Sequence, residues 1–149
     1  MDLKVMTFNI RFDNPQDGPH DWNGRKEILS RLIRDFDPDI LATQEGRKPQ
    51  LYELAKLIPK LKLVDQHRQW IEERMYPCLF FNPEKLSVKK SIDIWLSETP
   101  YKPGSVSFNS AFPRLSNLAH FHDKNGKSFL CVNTHLDHLK GETRSKQIE

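Results

Sequence analysis

Apolar residues follow two rhythms along this chain. At residues 5–10, 40–43, 78–81 and 129–132 they form short runs that stop abruptly at polar residues, the pattern of buried strands. Ile28, Leu29, Leu32, Ile33 and Phe36 instead recur at helical spacing, and Pro38 stops that helix. A second helix opens at Pro49, carries Leu51, Leu54, Leu57 and Ile58 on one side, and ends at Pro59. Residues 61–64 make a weaker strand, and residues 86–96 a long one joined to 78–81 through the turn Asn82-Pro83-Glu84-Lys85. Residues 118–122 alternate and pass through Asp123-Lys124-Asn125-Gly126 into 129–132, which predicts a hairpin. Two stretches read as irregular: 13–24, with Pro15, Gly18, Pro19 and Gly24, and 97–113, with three prolines and Gly104. Residues 141–149 begin a further helix. Strands interleaved with helices, without an internal repeat or linker, predict one α/β domain over 1–149.

Composition narrows the class. A chain of 149 residues can bury a real core, and 37% apolar with 29% charged residues suits a globular protein and not a disordered one. A net charge of +3 is too small to argue for nucleic acid by itself, yet it does not repel a phosphorylated substrate. No apolar run approaches membrane-spanning length, so no transmembrane segment is expected. Met1-Asp2-Leu3-Lys4-Val5 enters a strand pattern without a signal-peptide core, and Cys78 and Cys131 lack metal spacing and read as reduced core thiols. These features predict a cytoplasmic protein.

Three strand ends carry the polar groups that change the picture: Asn9, Glu45, and the pair Asn133 and His135. Sites in α/β proteins are commonly built where strands exit the sheet. A carboxylate beside an amide oxygen suits Mg²⁺, and an imidazole transfers protons near neutral pH. Together they suit in-line attack of water on a phosphate ester. Pattern alone leaves a plainer reading open, in which Glu45 starts a helix-entry turn and Asn133, Thr134 and His135 close a loop. His120 and His122 share a strand face and read as the solvated side of the hairpin. Trp22 and Trp95 read as packing residues, and Trp70 has no readable role.

Thr7-Phe8-Asn9-Ile10-Arg11, Gln44-Glu45, Trp95-Leu96-Ser97-Glu98-Thr99-Pro100, Arg114 and Asn133-Thr134-His135-Leu136-Asp137-His138 occur in one order. That ordered set resembles the endonuclease/exonuclease/phosphatase superfamily, the metal-dependent phosphoesterases that include DNase I-like nucleases, sphingomyelinases and inositol phosphatases. The resemblance runs from Met1 to the start of the last helix. It implies a DNase I-like two-sheet α/β sandwich with the site at the rim between the sheets. It also implies a Mg²⁺ cofactor, with Mn²⁺ as the alternative, and a phosphate-ester substrate such as nucleic acid, phospholipid or a small phosphodiester. By the same resemblance Glu45 is the principal metal-binding carboxylate and Asn9 stands beside it at the metal. His135 lies at the scissile phosphate with Asn133 next to it. Arg114 and Asp137 fall on the substrate side, Arg114 meeting a phosphate oxygen through its planar fork.

The departures from the family pattern matter too. The family completes its site with a Gly-Asp-x-Asn segment and a terminal Ser-Asp-His segment, and neither occurs here. Asp137-His138 is no substitute, because Leu136 stands where the serine belongs. The chain therefore corresponds to the N-terminal part of the fold, half of a sandwich flanked by helices. It is expected to bind metal poorly, to hydrolyse slowly, and to self-associate or dock through an exposed sheet face. Glu73 is a further candidate near the site, although alignment on Phe80-Phe81-Asn82 puts Met75 where many relatives carry a glutamate. Two rival readings stand beside this one. Residues 134–138 are similar to the His-x-His-x-Asp-His signature of metallo-β-lactamase-like zinc hydrolases, short of its middle histidine. The other rival is a non-catalytic half-domain that docks with a partner.

Overall fold

The computed structural model describes residues 2–149. Strands β1 (Val5–Asn9), β2 (Ile40–Gly46), β4 (Tyr76–Phe81) and the short β3 (Lys62–Leu63) form one sheet in the order β1-β2-β4-β3. Strands β5 (Leu86–Trp95), β6 (Leu115–Asp123) and β7 (Ser128–Thr134) form a second sheet in that order. β1 and β2 run parallel, joined by helix α1 (Trp22–Phe36), and the remaining pairs are antiparallel. Helix α2 (Lys48–Leu57) follows β2, and α3 (Gly141–Ile148) ends the chain.

Two apolar layers hold these elements. Leu29 and Ile33 of α1 and Leu51 and Leu54 of α2 pack on Leu41, Tyr76 and Phe80 of the first sheet. Ile40 and Leu79 meet Ala119 and Phe121 between the two sheets. Full burial of each Leu, Ile or Phe contributes about 1.5–3 kcal/mol, so these layers dominate the cohesion of the domain.

Polar clamps cross the inter-sheet layer as well. Asn117 and Asn133 stand directly opposite each other on β6 and β7, both buried. Asn117 accepts the Leu79 N–H at 3.0 Å, while Asn133 donates to the carbonyls of Thr43 at 2.8 Å and Cys78 at 2.9 Å. Backbone groups of the first sheet are thereby satisfied by side chains of the second, which fixes the height at which the β7 end meets the β2 end.

Several elements differ from the sequence expectation. The stretch 13–24 is not all loop: a 3₁₀ segment, Pro15–His20, leads into α1, which starts at Trp22. Asp21 caps that helix by accepting the Gly24 N–H at 2.9 Å. Gly24 lies in the first helical turn, where a Cβ would sit 2.0 Å from the Pro19 carbonyl oxygen. Of the apolar residues at helical spacing in α1, Ile28, Leu32 and Phe36 are exposed, and the buried apolar set is Trp22, Leu29 and Ile33. The chain supplies strands to both sheets, whose inner faces meet across the second apolar layer. The outer side of β7 is an exposed sheet face, carrying Leu130 and Val132.

Candidate active site

β1 stops at Asn9, and β2 breaks register between Thr43 and Gly46 just where Glu45 stands. Glu45 has a positive φ of 68°, and Arg11, beyond the β1 end, has 56°. Left-handed backbone at residues other than glycine costs of order 1–3 kcal/mol each and tends to collect at functional sites. The bulge re-aims Glu45 out of the sheet. Gly46 makes it feasible, because a Cβ there would meet Leu51 side-chain atoms at 2.7 and 2.8 Å.

Glu45 is then held in place. Asn9 Nδ2 donates to its Oε1 at 3.0 Å, while Asn9 Oδ1 accepts the Arg11 N–H at 2.9 Å. The Phe12 N–H reaches Oε2 at 3.4 Å. From the other sheet, the end of β7 brings His135 Nε2 to 3.9 Å from Glu45 Oε1. Carboxylate, amide and imidazole from three strand ends thus meet at one rim, as the order of the strand ends suggested.

Arg114, just before β6, organises the second half of this rim. Its Nη1 lies 3.2 Å from His135 Nδ1 and its Nη2 3.2 Å from His138 Nδ1. A guanidinium only donates, so both Nδ1 atoms accept and both rings carry their proton on Nε2. The His135 N–H therefore faces Glu45 and the cavity. Burial, then the Arg114 charge, pushes the His135 imidazolium pKa below its ordinary value, and the nearby Glu45 carboxylate only partly opposes this.

A cavity of about 260 Å³ opens here, lined by Glu45, His135 and Arg114 together with Phe12, Phe112 and Arg47. Glu73, the further candidate from the sequence, lines it too and pairs with Arg47 at 3.0 Å. Phe12, Phe112 and Arg47 carried no signal in the sequence beyond their closeness to named motifs.

Two expected site residues do other work. Asn133 is buried and saturated by Thr43, Cys78 and Gln44, the last donating to its Oδ1 at 2.9 Å. It clamps the sheets and seats the residue before Glu45, leaving no free donor for an oxyanion. Asp137 is 1% exposed and accepts from the Ala111 and Leu139 amides, both at 2.9 Å, and from Ser110 Oγ at 3.1 Å. That carboxylate closes the loop before β6 onto the segment after β7, and it is not a cavity wall.

Among the described residues no three His, Cys, Asp or Glu side chains converge on a point that could hold a metal. The zinc-hydrolase reading fails on this: His135 and His138 spend Nδ1 on a shared arginine, and Asp137 faces inward. One positioned carboxylate with open space beside it does fit Mg²⁺, which keeps most of its waters and borrows oxygens from a phosphate. Asn9 fits less well as a ligand, since its oxygen already accepts the Arg11 N–H. Its structural role is to hold Glu45. No helix among the described residues is long and apolar enough to cross a membrane.

Residues 6–139 match the Endonuclease/Exonuclease/phosphatase family. The chain belongs to that family. Among solved structures, the endonuclease/exonuclease/phosphatase from Bacteroides vulgatus is 34% identical with a TM-score of 0.92, covering 99% of this chain and 57% of its own. A mannosyl-6-phosphatase from Bacteroides thetaiotaomicron is 27% identical with a TM-score of 0.89, covering 98% of this chain and 56% of its own. An uncharacterised protein of Acanthamoeba polyphaga mimivirus is 28% identical over 91% of this chain and 54% of that protein. The chain spans just over half the length of these relatives. Endonuclease/exonuclease/phosphatase proteins share this DNase I-like two-sheet fold and act on phosphate esters.

Proposed function

We propose that this chain carries the phosphate-facing part of a Mg²⁺-dependent phosphoesterase, in which water attacks phosphorus and the bond to the ester oxygen breaks. The observation that carries the reading is Glu45 Oε1, held by Asn9 at 3.0 Å and faced by His135 Nε2 at 3.9 Å, at the mouth of a cavity. When bound, the ion supplies Lewis-acid stabilisation of charge on the phosphoryl oxygens. Glu45 would hold it, and Asn9 keeps that carboxylate aimed. His135 offers its Nε2–H to a phosphoryl or leaving oxygen, and Arg114 fixes the ring that does so. Arg114, itself part-way into the cavity wall, adds positive charge behind the imidazole where negative charge develops.

A phosphomonoester is favoured over a polymeric diester. The cavity is small, and the Bacteroides thetaiotaomicron relative is a mannosyl-6-phosphatase. The test is phosphate release from mannose 6-phosphate, against hydrolysis of bis(p-nitrophenyl) phosphate, with Mg²⁺ and after chelation. The reading expects release from the monoester that chelation abolishes and that His135→Asn lowers about 10²–10⁴-fold. Turnover unaffected by chelation contradicts it.

A further inference from the structure

We propose that the cavity adjoining the phosphate site is a subsite for a neutral, polyhydroxylated leaving group the size of a sugar ring. The proposal rests on the phosphoesterase reading and extends it to the part of the substrate that is not phosphate.

The second cavity measures about 470 Å³ and shares Arg47, Glu73 and Arg74 with the first. An ester whose phosphate lies between Glu45 and His135 reaches it by passing the Arg47–Glu73 pair, 3.0 Å apart. That threshold is built to meet polar atoms. Arg47 Nε is buried without a hydrogen-bond partner, and Glu73 is held at a positive φ of 61°. An unpaired buried donor is costly, and a ligand hydroxyl would satisfy it. Strained backbone at the same spot fits a position kept for binding.

The walls then choose the ligand class. Three carboxylates, Asp13, Glu72 and Glu73, face three cations, Arg47, Lys48 and Arg74. The charges cancel, whereas a strand of nucleic acid needs unopposed cations along its phosphates. Mixed donors and acceptors suit hydroxyl groups, which do both. Trp70 lines the same cavity, held by Tyr76 edge-on at 4.8 Å and Tyr52 at 6.0 Å, with Arg68 and Lys48 lying 4.9 and 6.0 Å over its ring. The part-exposed indole adds a fixed apolar edge to a wall whose charged rim orients hydroxyls. This gives Trp70 a role that its sequence context does not suggest.

Tryptophan emission reads the cavity directly, because Trp22 and Trp95 are only 3% and 4% exposed while Trp70 is part-exposed at the cavity wall. The chain is titrated in Mg²⁺ with mannose 6-phosphate, inorganic phosphate and thymidine 5′-monophosphate, following emission and, in parallel, binding heat. Mannose 6-phosphate is expected to shift the emission and to bind about tenfold or more tighter than inorganic phosphate, a gap of ~1.4 kcal/mol. Trp70→Phe is expected to remove the emission change, and Glu72→Gln, at an exposed side chain that lines only the second cavity, to narrow the tenfold gap while leaving inorganic phosphate binding unchanged. Equal binding of mannose 6-phosphate and inorganic phosphate overturns the subsite and leaves the phosphate reading standing. Tighter, Trp70-dependent binding of the nucleotide overturns the sugar class. Failure of all three to bind overturns the phosphate reading and the subsite with it.

Discussion

Arg114 holds the Nδ1 atoms of His135 and His138 at 3.2 Å each, so one cation sets the tautomer of two imidazoles. The consequence for His135 is a ring whose only N–H points at Glu45. Replacing Arg114 with Met removes both donors and the charge that disfavours the imidazolium. In ¹⁵N spectra of histidine side chains, Arg114→Met is expected to mix the His135 tautomers and to raise the pH at which it titrates. Arg114→Lys, which keeps a donor and the charge, is expected to retain most of the wild-type signature. Unchanged His135 shifts in Arg114→Met contradict this.

Asn133, on the second sheet, satisfies backbone carbonyls of the first, and no apolar side chain can replace it. Asn133→Leu strands the Thr43 and Cys78 carbonyls, while the Gln44 amide keeps Thr7 Oγ1 and the Ala42 carbonyl. The expected loss is about 2–6 kcal/mol, at ~1–3 kcal/mol for each of the two carbonyls left without a partner. Urea unfolding measures it, and a loss below about 1 kcal/mol means the clamp is dispensable.

A second buried network closes the sandwich away from the rim. Asp93 accepts from Arg68 Nε at 2.6 Å and Nη2 at 2.7 Å, with His67 Nε2 at 3.0 Å. Burial alone works to raise the Asp93 carboxyl pKa, but the Arg68 and His67 hydrogen bonds and charges outweigh it and bring it below the ordinary value. Its stabilisation is therefore complete above the ordinary carboxylate pKa and is lost as pH falls through the lowered one. Asp93→Asn leaves Arg68 buried without its counter-charge and is expected to cost about 3–5 kcal/mol at neutral pH. The gap between wild type and variant should narrow in acid. A gap independent of pH contradicts the assignment.

Gly46 tests the bulge that aims Glu45. A Cβ there meets Leu51 at 2.7 and 2.8 Å, so Gly46→Ala must move the end of β2 or the start of α2. We expect a loss of about 1–3 kcal/mol, the ordinary cost of overpacking, with weaker divalent-ion binding as Glu45 turns away. Full stability with full metal binding would show that the bulge does not depend on the glycine.

Much of the rim was readable from the chain, because strands end where apolar runs meet polar residues, and Asn9, Glu45 and His135 each follow such a run. What the pattern does not carry is which atoms a polar side chain spends on its neighbours. Asn133 and Asp137 look equivalent to His135 in the string, yet both are consumed by backbone groups from segments far away in sequence. The first turn of α1 was hidden for a different reason. Gly24 reads as a breaker, but it sits against the Pro19 carbonyl oxygen, where any side chain would collide. Ile28, Leu32 and Phe36 keep helical spacing on the exposed side of α1, and periodicity alone gives no sign of which stripe faces the sheet.

Titration of Mn²⁺ into the chain, followed by the loss of its free-ion resonance, asks the central question with no substrate involved. The account predicts one site that Glu45→Gln eliminates and that Asn9→Ala weakens about 10–100-fold, as expected when a group that orients a metal ligand is removed. Mn²⁺ bound as tightly by Glu45→Gln as by the wild type would contradict it.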